Sequence, residues 1–324
     1  MTEATLDILG IGNAIVDVLA RAGDDFISNR GLAKGGMTLI DADQAQSLYA
    51  AMGPGVESSG GSVANSCAVA SGLGARVGYL GKVAKDTLGD VFAHDIRATG
   101  VHFPTAPLVG GAPTARCLIL VTPDAQRTMS TYLGACIAFG EADVDMAEVA
   151  RAQVVYLEGY LFSGAQDAFR AAARTARAAG RKVALSLSDG FCVDMNRDAF
   201  RRFVREETDI LFANEAEILS LYETSDFAAA AAQAGTEVSV AALTRSERGS
   251  VIVAGAASHD VPAQPTTVVD TTGAGDAYAA GFLAAHTRGL GLPEAGRWGS
   301  ICAAEVISHF GARPQADLRA LVGG

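Results

Sequence analysis

The residues Gly273-Ala274-Gly275-Asp276 stand directly before an alanine-rich run, Ala277 to Ala285, that contains no proline and is built of good helix formers. A helix is therefore expected to begin near Gly273 to Gly275. Its first turn leaves backbone N–H groups without partners and carries partial positive charge, and the glycines let an anion come close to the backbone. A phosphoryl group suits that place. Asp276 lies in the same turn, where the dipole favours its ionised form. It could take a proton from a hydroxyl as that oxygen attacks a γ-phosphate. The same pattern also suits a glycine-rich turn with an aspartate cap, so the reading depends on the rest of the chain.

Other residues fit the acceptor side of such a transfer. Asn13 and Asp17 follow an expected strand, Asp7 to Gly12, and open α/β sheets bind ligands beyond the carboxyl ends of their strands. An aspartate there can accept hydrogen bonds from two vicinal hydroxyls, although Asn and Asp are also ordinary turn residues. Gly60, Gly61 and Ser62 read either as a glycine turn with a Ser N-cap or as a place of close substrate approach, and the two can coexist. Arg127 offers a planar fork suited to phosphate, and equally suits a solvated surface. Glu217, in Asn214-Glu215-Ala216-Glu217, reads as an acidic first helical turn or as a group that holds magnesium through water.

The elements that must position these residues follow from periodicity. Short apolar runs alternate with helical patterns, as expected for βαβ units around a mainly parallel sheet in a three-layer α/β/α architecture. Strands are expected at Asp7 to Gly12, Arg76 to Gly81, Val154 to Leu157, Lys182 to Leu187, Ile210 to Ala213, Val238 to Thr244 and Ser250 to Ala254. Helices are expected near 62–73, 86–98, 165–179, 196–205, 215–222, 274–288 and 294–309. Residues 14–40 and 104–134 break the rhythm and read as extended segments with turns.

With 324 residues, 49% of them hydrophobic, the chain can bury a large core. The 36 acidic against 25 basic residues, a formal charge of −11, argue against nucleic acid or an anionic membrane as partner. No apolar run has the length of a spanning helix, and Met1-Thr2-Glu3-Ala4-Thr5 lacks the basic region of a signal peptide. A cytoplasmic location is therefore expected. Cys67, Cys117, Cys136, Cys192 and Cys302 are widely spaced and suggest neither a disulfide framework nor a zinc site; they are expected to be reduced and mostly buried.

The segment Asp270 to Tyr278 resembles the second signature of the ribokinase-like, or PfkB, carbohydrate and nucleoside kinases. Gly60-Gly61-Ser62-Val63-Ala64-Asn65 is similar to that family's substrate glycine pair, Gly81 to Asp90 to its first signature, and Asn214 to Glu217 to its Asn-x-x-Glu element. The resemblance covers essentially the whole chain, as a single domain, 1–324. It implies a small β-sheet lid from 14–40 and 104–134, a sugar diol held by Asp17, Gly61 and Asn65, Asp276 as base, and an anion hole at Gly273, Ala274 and Gly275. It also implies Arg127 at the transferred phosphate, ATP as donor, and magnesium near Glu217. Thr244-Arg245-Ser246-Glu247-Arg248-Gly249 falls where the family has Thr-x-Gly-x-x-Gly against the nucleotide phosphates. Here Ser246 replaces the first glycine, which puts that turn's geometry in question. Ala303, Ala304, Ile307 and His309 would line an adenine pocket, and Asp270 and Thr272 could supply oxygens to a monovalent cation such as potassium.

Gly10-Ile11-Gly12-Asn13-Ala14-Ile15-Val16-Asp17 and Arg127 to Ala135 look closer to the adenosine kinase branch than to ribokinase or fructokinase. The resemblance therefore implies phosphorylation of a nucleoside 5′-hydroxyl, adenosine first. Met37, Leu39, Tyr132, Tyr160, Leu161 and Phe162 are candidates for an apolar slot around a base, or for ordinary core. The alternatives are a sugar kinase acting on ribose, fructose or 2-keto-3-deoxygluconate, and a binding protein that keeps the fold without the chemistry. Monomer and homodimer are both compatible with the lid edges.

Overall fold

The computed structural model describes residues 4–124 and 126–323; Met1 to Glu3, on which the signal-peptide reading partly rested, lie outside the described residues. In chain order the strands are β1 (Leu6–Ile11), β2 (Ile15–Arg21), β3 (Met37–Leu39), β4 (Gly55–Gly60), β5 (Val77–Leu80), β6 (Ala115–Val121), β7 (Arg127–Tyr132), β8 (Ala152–Glu158), β9 (Lys182–Ser186), β10 (Ile210–Asn214), β11 (Val240–Thr244), β12 (Ser250–Ala254) and β13 (Ala257–Val261). The α-helices are α1 (Asp24–Asn29), α2 (Ala42–Ala51), α3 (Ser62–Gly72), α4 (Thr87–Ala98), α5 (Met146–Arg151), α6 (Gly159–Ala178), α7 (Gly190–Glu207), α8 (Glu215–Tyr222), α9 (Phe227–Glu237), α10 (Ala274–His286), α11 (Leu292–Val306) and α12 (Leu318–Gly323).

Among the described residues, eight strands form one sheet in the order β13-β12-β11-β10-β9-β8-β1-β5. The run from β11 to β5 is parallel, and β12 and β13 close the edge antiparallel. Its strands from β12 to β5 are largely apolar on both faces because helices cover both, while the edge strand β13 is mostly exposed. Val154 and Tyr156 of β8 enter one core with α3, α10 and α11, while Val155 and Leu157 enter the other with α6 to α9. This is the three-layer α/β/α arrangement that the alternation of elements predicts. Leu161 and Phe162, considered above for a base slot, belong to the second core. Phe162 is fully buried and stacks on Phe200 at 4.2 Å, because α6 turns that face onto the sheet.

A second, five-stranded sheet runs β3-β7-β6-β2-β4. The 14–40 and 104–134 segments supply four of its strands. The fifth, β4, comes from outside them, and 14–40 also contains the short helix α1. Register sorts the side chains of this sheet, since neighbouring residues on a strand point to opposite faces. Asp17 pairs with Cys117, Cys117 with Thr131, Ile119 with Met129, Val121 with Arg127, and Met129 with Met37. Asp17, Arg127, Met129, Met37 and Leu39 therefore share one face. Val16, Val18, Leu118 and Leu120 share the other and are buried in the first core. Tyr132, a candidate above for an apolar slot around a base, pairs with Arg116 and falls on that other face, away from Asp17, Met37 and Leu39, by a one-residue parity.

Helices α10 and α11 meet at two glycines. A methyl group on Gly281 would come within 2.6 Å of the Trp298 carbonyl oxygen, and one on Gly299 within 2.8 Å of that of Tyr278. This close crossing sets how α10, and with it Asp276, lies against the sheet. Gly281→Ala should overpack the crossing and lower stability by about 1–3 kcal/mol, seen as a fall in the urea midpoint.

Candidate active site

Helix α10 starts where the glycines and alanines predict. Gly273 precedes it with φ 77°, a left-handed backbone that a side chain would strain, and a methyl group there would lie 2.7 Å from Ala312. No side chain caps the helix, and a methyl group on Gly275 would meet nothing within 4 Å. The space beside Gly275 is thus open, while the Ala274 amide donates to the Thr271 carbonyl at 3.2 Å. Asp276 Oδ1 accepts from the Ser62 hydroxyl at 2.6 Å, Oδ2 from Asn65 Nδ2 at 3.4 Å, and its backbone carbonyl from the Ser66 hydroxyl at 2.9 Å. Helix α3 therefore presents its first turn to that of α10. Burial pushes the Asp276 carboxyl up to about 6, and the hydrogen bonds from Ser62 and Asn65 hold it from rising further.

Gly61, with φ 99°, begins α3. A methyl group there would lie 2.1 Å from the Asn13 carbonyl oxygen, and one on Gly60 would lie 2.3 Å from the Asp17 carboxylate. The glycine pair is thus what lets β2, β4 and α3 converge. Asp17 is raised to about 6, chiefly by burial and further by the negative charge of Asp276, against the pull of Arg313 and Arg127. Asn13 is buried, and its Oδ1 has no protein partner among the described residues.

Arg127 donates from Nη1 to Asp270 at 2.7 Å and to the Thr272 hydroxyl at 2.9 Å. Asp270 also accepts from the Thr272 and Gly311 backbone amides. The Asp270 and Thr272 side-chain oxygens, candidates for a monovalent cation in the sequence, both meet the Arg127 guanidinium. The opposite edge of Arg127, Nε and Nη2, is buried and unpaired among the described residues.

Asn214 and Glu217 close a reciprocal cap on α8. Asn214 Oδ1 accepts from the Glu217 amide, and Glu217 Oε2 from the Asn214 amide, both at 2.9 Å. Glu217 is buried, and burial pushes its carboxyl up to about 7, with Asp189 and Asp276 adding to the shift. Ser246 takes φ 52°, so the serine adopts the left-handed backbone that a glycine would hold, and Gly249 at φ 80° lies too close to the Val261 carbonyl for any side chain. Thr244 ends β11 just before this turn. Asp86, in the segment Gly81 to Asp90, caps α4 through Gly89 and accepts from the Thr114 amide and hydroxyl, tying that helix to the start of β6.

Two residues that reach this site escaped the sequence reading. Glu158, at the end of β8, is fully buried; its Oε1 accepts from the Asn13 amide at 2.7 Å and its Oε2 from the Val63 amide at 3.0 Å. Burial pushes it up to about 7. Its one signal in the sequence is an ionisable residue closing the apolar run Val154 to Leu157. Arg313, near the C-terminus, donates to the Ser59 and Ala64 carbonyls, and no motif announces it.

A glycine-opened helix N-terminus without a side-chain cap, a buried carboxylate in its first turn and a second carboxylate packed against a glycine pair fit a phosphotransferase of ribokinase-like fold. Residues 32–318 match the pfkB family carbohydrate kinase description, and the chain belongs to that family. It is similar to the adenosine kinase from Sinorhizobium meliloti, at 50% identity, 99% of both chains and a TM-score of 0.91. It is also similar to a probable sugar kinase protein from Rhizobium etli CFN 42, at 45% identity, 99% of this chain, 98% of the other and a TM-score of 0.91. An ATP-dependent ribose-1-phosphate kinase of Halopiger xanaduensis is 30% identical over 81% of this chain and 85% of its own. The chain is thus a kinase of the adenosine kinase branch of its family.

Replacing Glu158 by Ala would strip two buried amides of their acceptor and leave a cavity. The expected loss is about 2–4 kcal/mol, read from denaturant unfolding.

Proposed function

We propose that this protein transfers the γ-phosphoryl group of ATP to the 5′-hydroxyl of a nucleoside, adenosine first, with Asp276 as general base. The observation that carries the reading is the placement of Asp276: an uncapped, glycine-opened helix N-terminus beside a carboxylate that Ser62 and Asn65 hold in one orientation. Asp17 and Asn13 take the ribose diol. Asp17 accepts from hydroxyls, and the unpartnered Asn13 Oδ1 accepts a further one. Gly60 and Gly61 permit the approach. Met37, Leu39 and Met129, on the same sheet face as Asp17, form the apolar surface against the base, and the small sheet acts as a lid that keeps water from the donor. The probable sugar kinase among its neighbours motivates testing sugars, but these methionine and leucine side chains offer a sugar no hydrogen bonds.

The amides of Gly273, Ala274 and Gly275 and the free edge of Arg127 receive the phosphate charge. Thr244, Ser246 and Gly249 contact the donor's phosphates, and Asn214 and Glu217 lie on the same side, where Glu217 would hold magnesium through water. When bound, the metal neutralises charge on the phosphates. Among the described residues no three His, Cys, Asp or Glu side chains gather as a metal cage, so the donor set suits a magnesium that keeps its water and arrives with the nucleotide.

ADP release with MgATP should be selective for adenosine over inosine, guanosine, ribose, fructose and 2-keto-3-deoxygluconate; turnover of a free sugar alone would overturn the nucleoside assignment. Asp276→Asn should fold and bind adenosine while kcat drops about 1,000-fold, and retained turnover would remove it as the base. Because both Asp17 and Asp276 must be ionised and both titrate near 6, kcat/KM should be flat above about pH 7 and fall below 6 with a slope steeper than one. Asp17→Ala should raise the KM for adenosine about 100-fold, with a smaller effect on kcat.

A further inference from the structure

We infer that Arg313 is a positioning residue for the transfer, holding the acceptor-binding carboxylate Asp17 and the base Asp276 at a fixed separation and balancing their charge. This rests on the roles proposed above for those two aspartates. The geometry is direct. Arg313 Nη2 donates to the Ser59 carbonyl at 2.6 Å and to the Ser59 hydroxyl at 2.9 Å, and Ser59 adjoins Gly60, against which the Asp17 carboxylate packs. Nη1 donates to the Ala64 carbonyl at 3.2 Å, and Ala64 adjoins Asn65, whose amide holds Asp276. One guanidinium therefore bridges strand β4 of the small sheet and helix α3 of the main body, a single residue away from each carboxylate's neighbour.

Its electrostatic surroundings agree. Burial lowers the Arg313 guanidinium, the negative charges of Asp95 of α4, Asp17 of β2 and Asp276 of α10 hold it up, and the Cys67 thiol of α3, pushed up to about 12, lies beside it as a neutral group. Asp17 feels Arg313, Arg127 and Asp276. The titratable groups that feel Asp276 include Glu158, Tyr156, Tyr160 and Glu217, all of them acids. Among the described residues, Arg313 is the cation that lowers Asp276. Asp95 fixes the anchor from the other side, accepting from the Ser59 amide at 2.8 Å and from its hydroxyl at 2.5 Å.

A purely structural role predicts something different. Buried charges contribute little net stability, and an apolar residue of similar volume often serves the fold as well. What such a residue could not supply is positive charge between two carboxylates that must both be ionised for turnover.

The test uses the intact protein with adenosine and MgATP, comparing Arg313→Gln, Arg313→Lys and Ser59→Ala with wild type and with Asp276→Asn. Arg313→Gln should move the acid limb of kcat/KM upward by about one pH unit and raise the KM for adenosine at least 10-fold. Arg313→Lys should keep the limb within a few tenths of a unit, because it keeps the charge, yet still raise KM, because it loses the fork. Ser59→Ala leaves the charge and removes one anchor, so KM should rise several-fold with the limb unmoved; this variant and the lysine carry the test if the glutamine fails to fold. An inactive Asp276→Asn together with an unmoved limb and KM in the Arg313 variants, whatever their Tm, would overturn this inference alone. Retained turnover in Asp276→Asn would overturn the base assignment and this inference with it.

Discussion

Everything at this site depends on placing carboxyl groups where water is scarce. Burial pushes Asp17 and Asp276 up to about 6 and Glu158 and Glu217 up to about 7. Desolvation alone would neutralise them, and the fold answers for Asp276, Glu158 and Glu217 with hydrogen-bond donors at the starts of helices, and for Asp17 with the positive charges of Arg313 and Arg127. Glu158 accepts from the first turn of α3, Glu217 from the N-cap amide of its own helix α8, and Asp276 takes the hydroxyl of Ser62. The remaining tension is a resource, because a carboxylate near 6 is a better proton acceptor than one near 4 and remains ionised at neutral pH.

Helix starts do double duty in this arrangement. The first turn of α3 gives Glu158 an amide, Asp276 a hydroxyl and Arg313 a carbonyl within four residues, so α3 is the common neighbour of β8, α10 and the segment that carries Arg313. The two glycines before it are what make that possible, since any side chain at Gly61 would collide with the Asn13 carbonyl. On the opposite side, the glycines at the α10–α11 crossing bring α10 close enough to the main body for Asp276 to meet Ser62. Packing and chemistry are therefore the same constraint here. A change that shifts α10 by an ångström changes the hydrogen bonds to Asp276.

The small sheet shows a different economy of design. Alternation along its strands separates a buried set, Val16, Val18, Leu118 and Leu120, from a set in which the apolar row Ile119, Met129 and Met37 lies between Asp17 and Arg127. Asp17 and Arg127 lie on that second set with Met37, Leu39 and Met129, so a diol, a phosphate and an apolar ring could all be met by one sheet. Arg127 is anchored to Asp270 through half of its fork, which leaves the other half oriented and unpaired. Such an arginine loses little further freedom on meeting an anion.

The sequence by itself determined the three-layer architecture, most strand and helix positions, and the start of α10 with Asp276 in its first turn. These follow from local causes: apolar period, helix propensity, and glycines where the backbone must turn. The expected helix starts at 165 and 196 coincide with the non-helical residues Ala165 and Asn196, where the longer helices α6 and α7 bend. Helices α2, α5 and α9 were not legible, although Asp41, Asp145 and Asp226 cap them, because short or alanine-rich segments carry little periodicity. Strand β4 was hidden because Gly55-Val56-Glu57-Ser58-Ser59-Gly60 holds a single β-former, Val56, and is held by pairing with β2. Tertiary structure alone decided which face of the small sheet holds Tyr132, that Arg127 meets Asp270, that Leu161 and Phe162 are core, and that Glu158 and Arg313 reach the site. Register, and contacts between residues more than a hundred positions apart, arise from how elements pack, and no local pattern encodes them.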